Sequence, residues 1–116
     1  MIAIVDDEEP VREALFDLLE AEGLAARPFD SAVALLADPY CAEFSCIISD
    51  VRMPGIHGLE LQQRLLDRGL SIPLIFITAS VNEATRNRAL ARGAAAWFTK
   101  PVPDDALLEV LRKVLG

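Results

Sequence analysis

Short apolar runs, each followed by a stretch with helical spacing, alternate along all 116 residues, and nothing else in the chain limits its fold so strongly. Ile2 to Val5 is the first run. Val11, Leu15, Leu18 and Leu19 then recur on one helical face, with Pro10 suited to the first turn and Gly23 to the end. Leu24 to Phe29 reads as a weak edge strand, because it holds Arg27 and Pro28. Ser31 is placed to cap a short helix whose apolar residues are Val33, Leu35 and Leu36. Cys46, Ile47 and Ile48 form a third strand ending near Asp50, and Leu59, Leu61, Leu65 and Leu66 mark a helix that Gly69 stops. Leu74 to Ile77 is the most strand-like run, Ala95 to Phe98 is the fifth, and Leu107, Val110, Leu111 and Val114 stripe a final helix. Five strands, each trailed by a helix, predict an α/β fold: a parallel sheet covered on both faces, a three-layer αβα sandwich.

A chain of this length is one domain by size, spanning residues 1–116, and its 53% hydrophobic and 25% charged residues fit a packed core rather than disorder. The apolar runs fall far short of the ~20 residues that a membrane helix needs. Asp6 interrupts the first of them, so no secretory leader is legible and the cytoplasm is the expected location. A net charge of −7 argues against direct binding of nucleic acid by this segment, since phosphates call for a basic face. Cys41 and Cys46 lie five apart with no other cysteine and no histidine nearer than His57, which is neither a zinc pattern nor a disulfide framework, and they read as reduced thiols.

In a doubly covered parallel sheet, ligands bind beyond the carboxyl ends of the strands, where the strand order reverses. The polar residues expected there are Asp6 and Asp7 after the first strand, Asp50 at the end of the third, Thr78 after the fourth and Lys100 after the fifth. Carboxylates gathered at one rim repel by roughly 4 kcal/mol per pair at ~4 Å and an effective dielectric of ~20. A divalent cation and the Lys100 ammonium would offset that repulsion. Oxygen-only ligands suit Mg²⁺ or Mn²⁺ rather than zinc. Mg²⁺ commonly joins a carboxylate to a phosphoryl oxygen, and a carboxylate can itself be a nucleophile that forms an aspartyl-phosphate. Lys100 would then neutralise charge on the transferring group while Thr78 donates a hydrogen bond.

Four segments, "VDDEEPVREAL", "ISDVRMPGIHGLEL", "IPLIFITAS" and "GAAAWFTKPV", occur in order across nearly the whole chain. Together they resemble the receiver domain of two-component response regulators, in wording close to the nitrogen-fixation regulator type, which pairs the receiver with a helix-turn-helix output. The resemblance implies a flavodoxin-like (βα)5 fold with strand order 2-1-3-4-5. It implies Asp50 as phosphoacceptor, with Asp6, Asp7, Asp50 and the backbone carbonyl of Arg52 holding the metal. Lys100 would pair with the phosphoryl group and Thr78 would hydrogen-bond it, while Arg52 and Ser80 stand where the family tunes phosphoryl lifetime. Lys100-Pro101 matches the family's cis peptide bond, and Trp97 its aromatic switch position, where Phe or Tyr is commoner. The implied function is phosphorelay signalling: a sensor histidine kinase phosphorylates Asp50, and the surface of the fourth helix, fifth strand and fifth helix changes toward an output DNA-binding domain or partner protein. A phosphorylation-dependent homodimer is a further form of readout. Such a module catalyses only its own phosphorylation and dephosphorylation.

Plainer readings stand beside these. Paired acids after a strand also cap helices, and Glu8 and Glu9 read as solvated acids of the first turn, near enough to tune a metal site. Met53-Pro54-Gly55 reads as a tight loop that presents Asp50, and the small Ala79 leaves room for a phosphoryl group. His57, the lone histidine, reads as an exposed bystander. Trp97 is open to ordinary sheet-edge packing. The segment from Asn82 to Arg92 has few apolar anchors, Ala84, Ala89, Leu90 and Ala91, and so reads as the movable helix. A metal-dependent phosphatase or phosphotransferase with an aspartyl nucleophile is the alternative function, but that class carries the nucleophile and a second Asp two residues on after its first strand, whereas here the pair is adjacent.

Overall fold

The structure is a computed structural model that describes residues 1–80 and 82–116. Five strands, β1 (Ile2–Val5), β2 (Ala26–Phe29), β3 (Cys46–Asp50), β4 (Leu74–Thr78) and β5 (Ala96–Thr99), pair in parallel in the order β2-β1-β3-β4-β5. Between and after them come α1 (Glu9–Ala21), α2 (Ala32–Ala37), a 3₁₀ turn (Cys41–Glu43), α3 (Gly58–Asp67), α4 (Glu83–Ala91) and α5 (Asp104–Leu115). The three central strands are buried along their whole length, as continuous apolar runs in a doubly covered sheet must be. Arg27 and Pro28 lie on the edge strand β2, where a missing N–H breaks no interior ladder.

Alternate strand residues feed two separate cores. Ala3, Val5, Ile47, Leu74 and Phe76 meet α2, α3 and α4 on one face. Ile2, Ile4, Ile48, Ile75 and Ile77 meet Leu15 and Leu19 of α1 and Leu107, Leu108 and Leu111 of α5 on the other. Cys41 belongs to the first core and Cys46 to the second, and both are free. Burial pushes both thiols up, Cys46 to about 12, which leaves little thiolate for chemistry.

Several boundaries and faces differ from those expected. Leu24 does not enter β2: its N–H bonds Leu19 O at 2.9 Å and that of Gly23 bonds Glu20 O at 3.0 Å, an α-helical end closed through Gly23 at φ +74°. Ala95 precedes β5, which runs one residue further, to Thr99. Val33 and Leu66 face solvent, at 51% and 44% exposure. On α3 the buried place is taken by Gln62, whose Nε2 donates to Ala89 O of α4 at 3.0 Å. Of the four apolar residues of α4, only Ala89 is buried. Ser31 caps α2 as expected, accepting from Ala34 N at 3.1 Å.

Candidate functional site

The strand order reverses between β1 and β3, so the crevice of this fold opens at their carboxyl ends. Val5 pairs with Ser49, which sets Asp6 level with Asp50. Lys100 is delivered by β5: its N–H bonds Thr78 O at 2.7 Å, and the following Lys100-Pro101 peptide is cis. The ammonium then lies 3.0 Å from Asp6 Oδ2, 3.0 Å from Asp50 Oδ2 and 3.1 Å from Glu8 Oε1. Asp6, Asp7, Glu8 and Asp50 each offer an oxygen within 4.8 Å of the others.

Asp50 is buried, with its other oxygen fixed by the N–H groups of Val51 at 2.6 Å and Arg52 at 3.3 Å. Asp6 is fully buried; its Oδ1 accepts from Glu8 N at 2.9 Å, while its Oδ2 accepts no hydrogen bond despite lying in ion-pair range of Lys100. Burial drives the Asp6 carboxyl above the ordinary aspartate value, against the opposing pull of its backbone hydrogen bond and of Lys100. Burial pulls the Lys100 ammonium down, yet its contacts with Asp50, Asp6 and Glu8 outweigh that and hold it above the ordinary lysine value. Among the described residues Lys100 is paired with three carboxylates, those of Asp6, Glu8 and Asp50.

Thr78 lies one strand away, buried, with Oγ1 accepting from Ser80 N at 3.1 Å. Together with Arg52, His57, Ser80, Asn82, Thr85 and Trp97 it lines a small cavity of about 40 Å³. Trp97 is half-buried, its ring 5.8 Å from that of Phe76. The structure therefore brings Asp6, Asp7, Asp50 and Lys100 to one point and sets Thr78 and Trp97 along one cavity beside it.

Three site-bordering residues make contacts that the sequence reading did not specify. Glu8 is not a free first-turn acid: it sits before α1, makes no capping bond and reaches across to Lys100. His57 is exposed but not idle, since Nδ1 accepts from Leu59 N at 3.3 Å and caps α3. Gly58 lets the loop fold back beneath Asp50, with its N–H on Val51 O at 2.7 Å. A Cβ there would meet Asp50 O at 2.8 Å and Val51 Cα at 2.9 Å, both backbone. The sole signal in the sequence was a glycine at the start of an otherwise regular helix.

The site is thus an acidic crevice at the switch point of a five-stranded parallel α/β sheet, with one lysine facing its carboxylates. The chain belongs to the response regulator receiver domain family, whose profile it matches over residues 2–112. It is 40% identical over 115 residues to the response regulator protein TmoT of Ectopseudomonas mendocina, covering 99% of this chain and 52% of that protein. It is 39% identical over 115 residues to the transcriptional regulatory protein FixJ of Azorhizobium caulinodans, covering 99% and 54%. Among solved structures, the response regulator StyR superposes with a TM-score of 0.90 at 36% identity, over 98% of this chain and 58% of that one. FixJ-N superposes with a TM-score of 0.87 at 34% identity, over 98% and 91%. The chain spans about half the length of the curated relatives it matches.

Proposed function

We propose that residues 1–116 act as one receiver unit in which Asp50 accepts a phosphoryl group from a sensor histidine kinase. The observation that carries this reading is the Asp50 carboxylate itself: buried at the rim, with one oxygen on two backbone N–H groups and the other 3.0 Å from Lys100 Nζ. An oxygen of Asp50 attacks phosphorus while the bond from phosphorus to the donor imidazole nitrogen breaks, its electron pair staying on that nitrogen. Lys100 supplies positive charge to the transferring group and the Thr78 hydroxyl donates a hydrogen bond to it.

The residues present fit a hard divalent cation, because a fully buried carboxylate oxygen, Asp6 Oδ2, lacks a hydrogen bond and the side chains gathered with it, Asp7, Glu8 and Asp50, offer oxygen ligands. Asp6, Asp7, Asp50 and the backbone carbonyl of Arg52 would hold Mg²⁺ or Mn²⁺. Bound there, the ion would neutralise negative charge gathered at the acceptor.

The output follows from the weakest part of the fold. Phosphorylation draws Thr78 inward, Trp97 reorients toward the cavity beside it, and the α4–β5–α5 surface changes its preference for a partner, an attached DNA-binding domain or a second copy. The phosphoryl group must favour one of two existing arrangements for this to work. Names of relatives such as transcriptional regulatory protein FixJ support transcription control as the output, and the net charge of −7 argues against direct nucleic-acid contact by this segment, whose place of action is the cytoplasm. No helix among the described residues is long and apolar enough to cross a membrane.

Intact mass after incubation with acetyl phosphate tests the acceptor. A phosphoryl adduct is expected that needs Mg²⁺ and is missing from Asp50→Asn; an undiminished adduct in that variant would overturn the assignment. For the switch, amide exchange of residues 82–111 should change on phosphorylation, and an unchanged pattern would refute it.

A further inference from the structure

Glu8 has no duty in the reading above, yet its side chain is committed. It occupies the N-cap of α1 without making a capping bond, and instead accepts a hydrogen bond from Lys100 Nζ at 3.1 Å. We infer that Glu8 is the exchangeable counter-ion of Lys100, a positioning residue that holds the ammonium in the resting site and restrains phosphoryl uptake by having to release it. The inference rests on the assignment of Asp50 as acceptor and adds a residue to it.

The argument is one of unequal partners. Three carboxylates stand 3.0 to 3.1 Å from one ammonium, which has three N–H donors. A phosphoryl group on Asp50 brings new acceptor oxygens and new negative charge, so Lys100 must turn toward it and some existing partner must yield. Asp6 cannot yield cheaply: its side chain is fully buried, Oδ2 has no hydrogen bond, and without the ammonium it would be a stranded charge. Asp50 is the residue being modified. The Glu8 side chain is 58% exposed and returns to water when released. Glu8 also adds one negative charge to the mouth that an anionic phosphoryl donor must enter.

Neutralising Glu8 should therefore speed uptake while weakening cation binding. At saturating Mg²⁺ and low salt, Glu8→Gln is expected to form the acetyl phosphate adduct about two- to fivefold faster than wild type, the scale of an exposed ion pair. The ratio should fall toward one as salt screens the exposed charge. Calorimetry should show weaker Mg²⁺ binding in the variant. A readout free of turnover is also at hand, because Lys100 and Lys113 are the only lysines in the chain. The ¹⁵Nζ resonance of Lys100 should differ between wild type and Glu8→Gln in the resting proteins. That difference should vanish once Mg²⁺ and beryllofluoride occupy the site, because Glu8 has then let go. Uptake in Glu8→Gln equal to or slower than wild type, or a resonance difference that persists with beryllofluoride, overturns the inference. Absence of any adduct in wild type would instead overturn the acceptor assignment, and this role of Glu8 with it.

Discussion

Helices α4 and α5 cover opposite faces of the sheet, yet they are held very differently. On α5, Leu107, Leu108 and Leu111 are buried in a core shared with α1 and three central strands. On α4 only Ala89 is buried, Leu90 stands 37% exposed, and one side-chain hydrogen bond from Gln62 of α3 reaches its backbone. Each fully buried aliphatic side chain contributes about 1.5–3 kcal/mol, so α5 is fastened several times over and α4 barely. The contrast teaches where this domain can move. Asp6 and Asp50 stand at the ends of the fully buried strands β1 and β3, whereas the cavity lined by Thr78, Asn82, Thr85 and Trp97 borders the loosely held helix.

The sharpest way to break the comparison is a pair of core substitutions. Leu107→Ala should lower global stability by about 2–5 kcal/mol, measured by urea unfolding. Ala89→Gly should cost about 1 kcal/mol, mainly through helix propensity. Equal losses would mean that α4 is anchored as firmly as α5.

Next in size is Gly58→Ala, which forces a Cβ against the backbone of Asp50 and Val51. A cost of about 1–3 kcal/mol is expected, with slower adduct formation because the shelf under Asp50 shifts. Loss of stability with unchanged phosphorylation would show that the loop accommodates the methyl without moving the carboxylate.

A smaller effect concerns the rim. Burial raises the Asp6 carboxyl, so the folded state binds its proton more tightly than the unfolded chain does. In that case stability contributed at Asp6 is present below the unfolded value of 3.8 and is lost as pH rises through the raised folded value. At neutral pH without metal, ionised Asp6 is therefore a burden, and Asp6→Asn should melt higher than wild type. Mg²⁺ should raise the wild-type melting temperature more than that of the variant. Thermal melts with and without Mg²⁺ decide it; a variant that melts lower without metal contradicts the sign.

The smallest global change is expected from Gln62→Leu, which removes a buried orphan oxygen along with the bond to Ala89 O. Unfolding stability should move by under about 1 kcal/mol. Amide exchange in α4 should nonetheless accelerate by up to about tenfold while α5 stays unchanged, which would isolate the tether.

Much of this domain is legible along the chain. Continuous apolar runs and stripes of period 3.6 determine which segments are strands and helices, because a strand covered on both faces buries every side chain and a helix buries one stripe, and that is local arithmetic on residue type. Acids, a threonine and a lysine at strand ends mark the rim for the same reason: polar groups end buried runs. Only the tertiary structure decided which neighbours those groups acquire. Glu8 looked like a solvated acid until the sheet carried Lys100 beside it, and His57 like a bystander until the loop turned it onto Leu59 N. Leu66 counts in the apolar stripe of α3, yet it faces solvent while Gln62, which that stripe does not include, is buried against α4. Such contacts join residues far apart in the chain, and their energies depend on distance and burial that no local pattern contains.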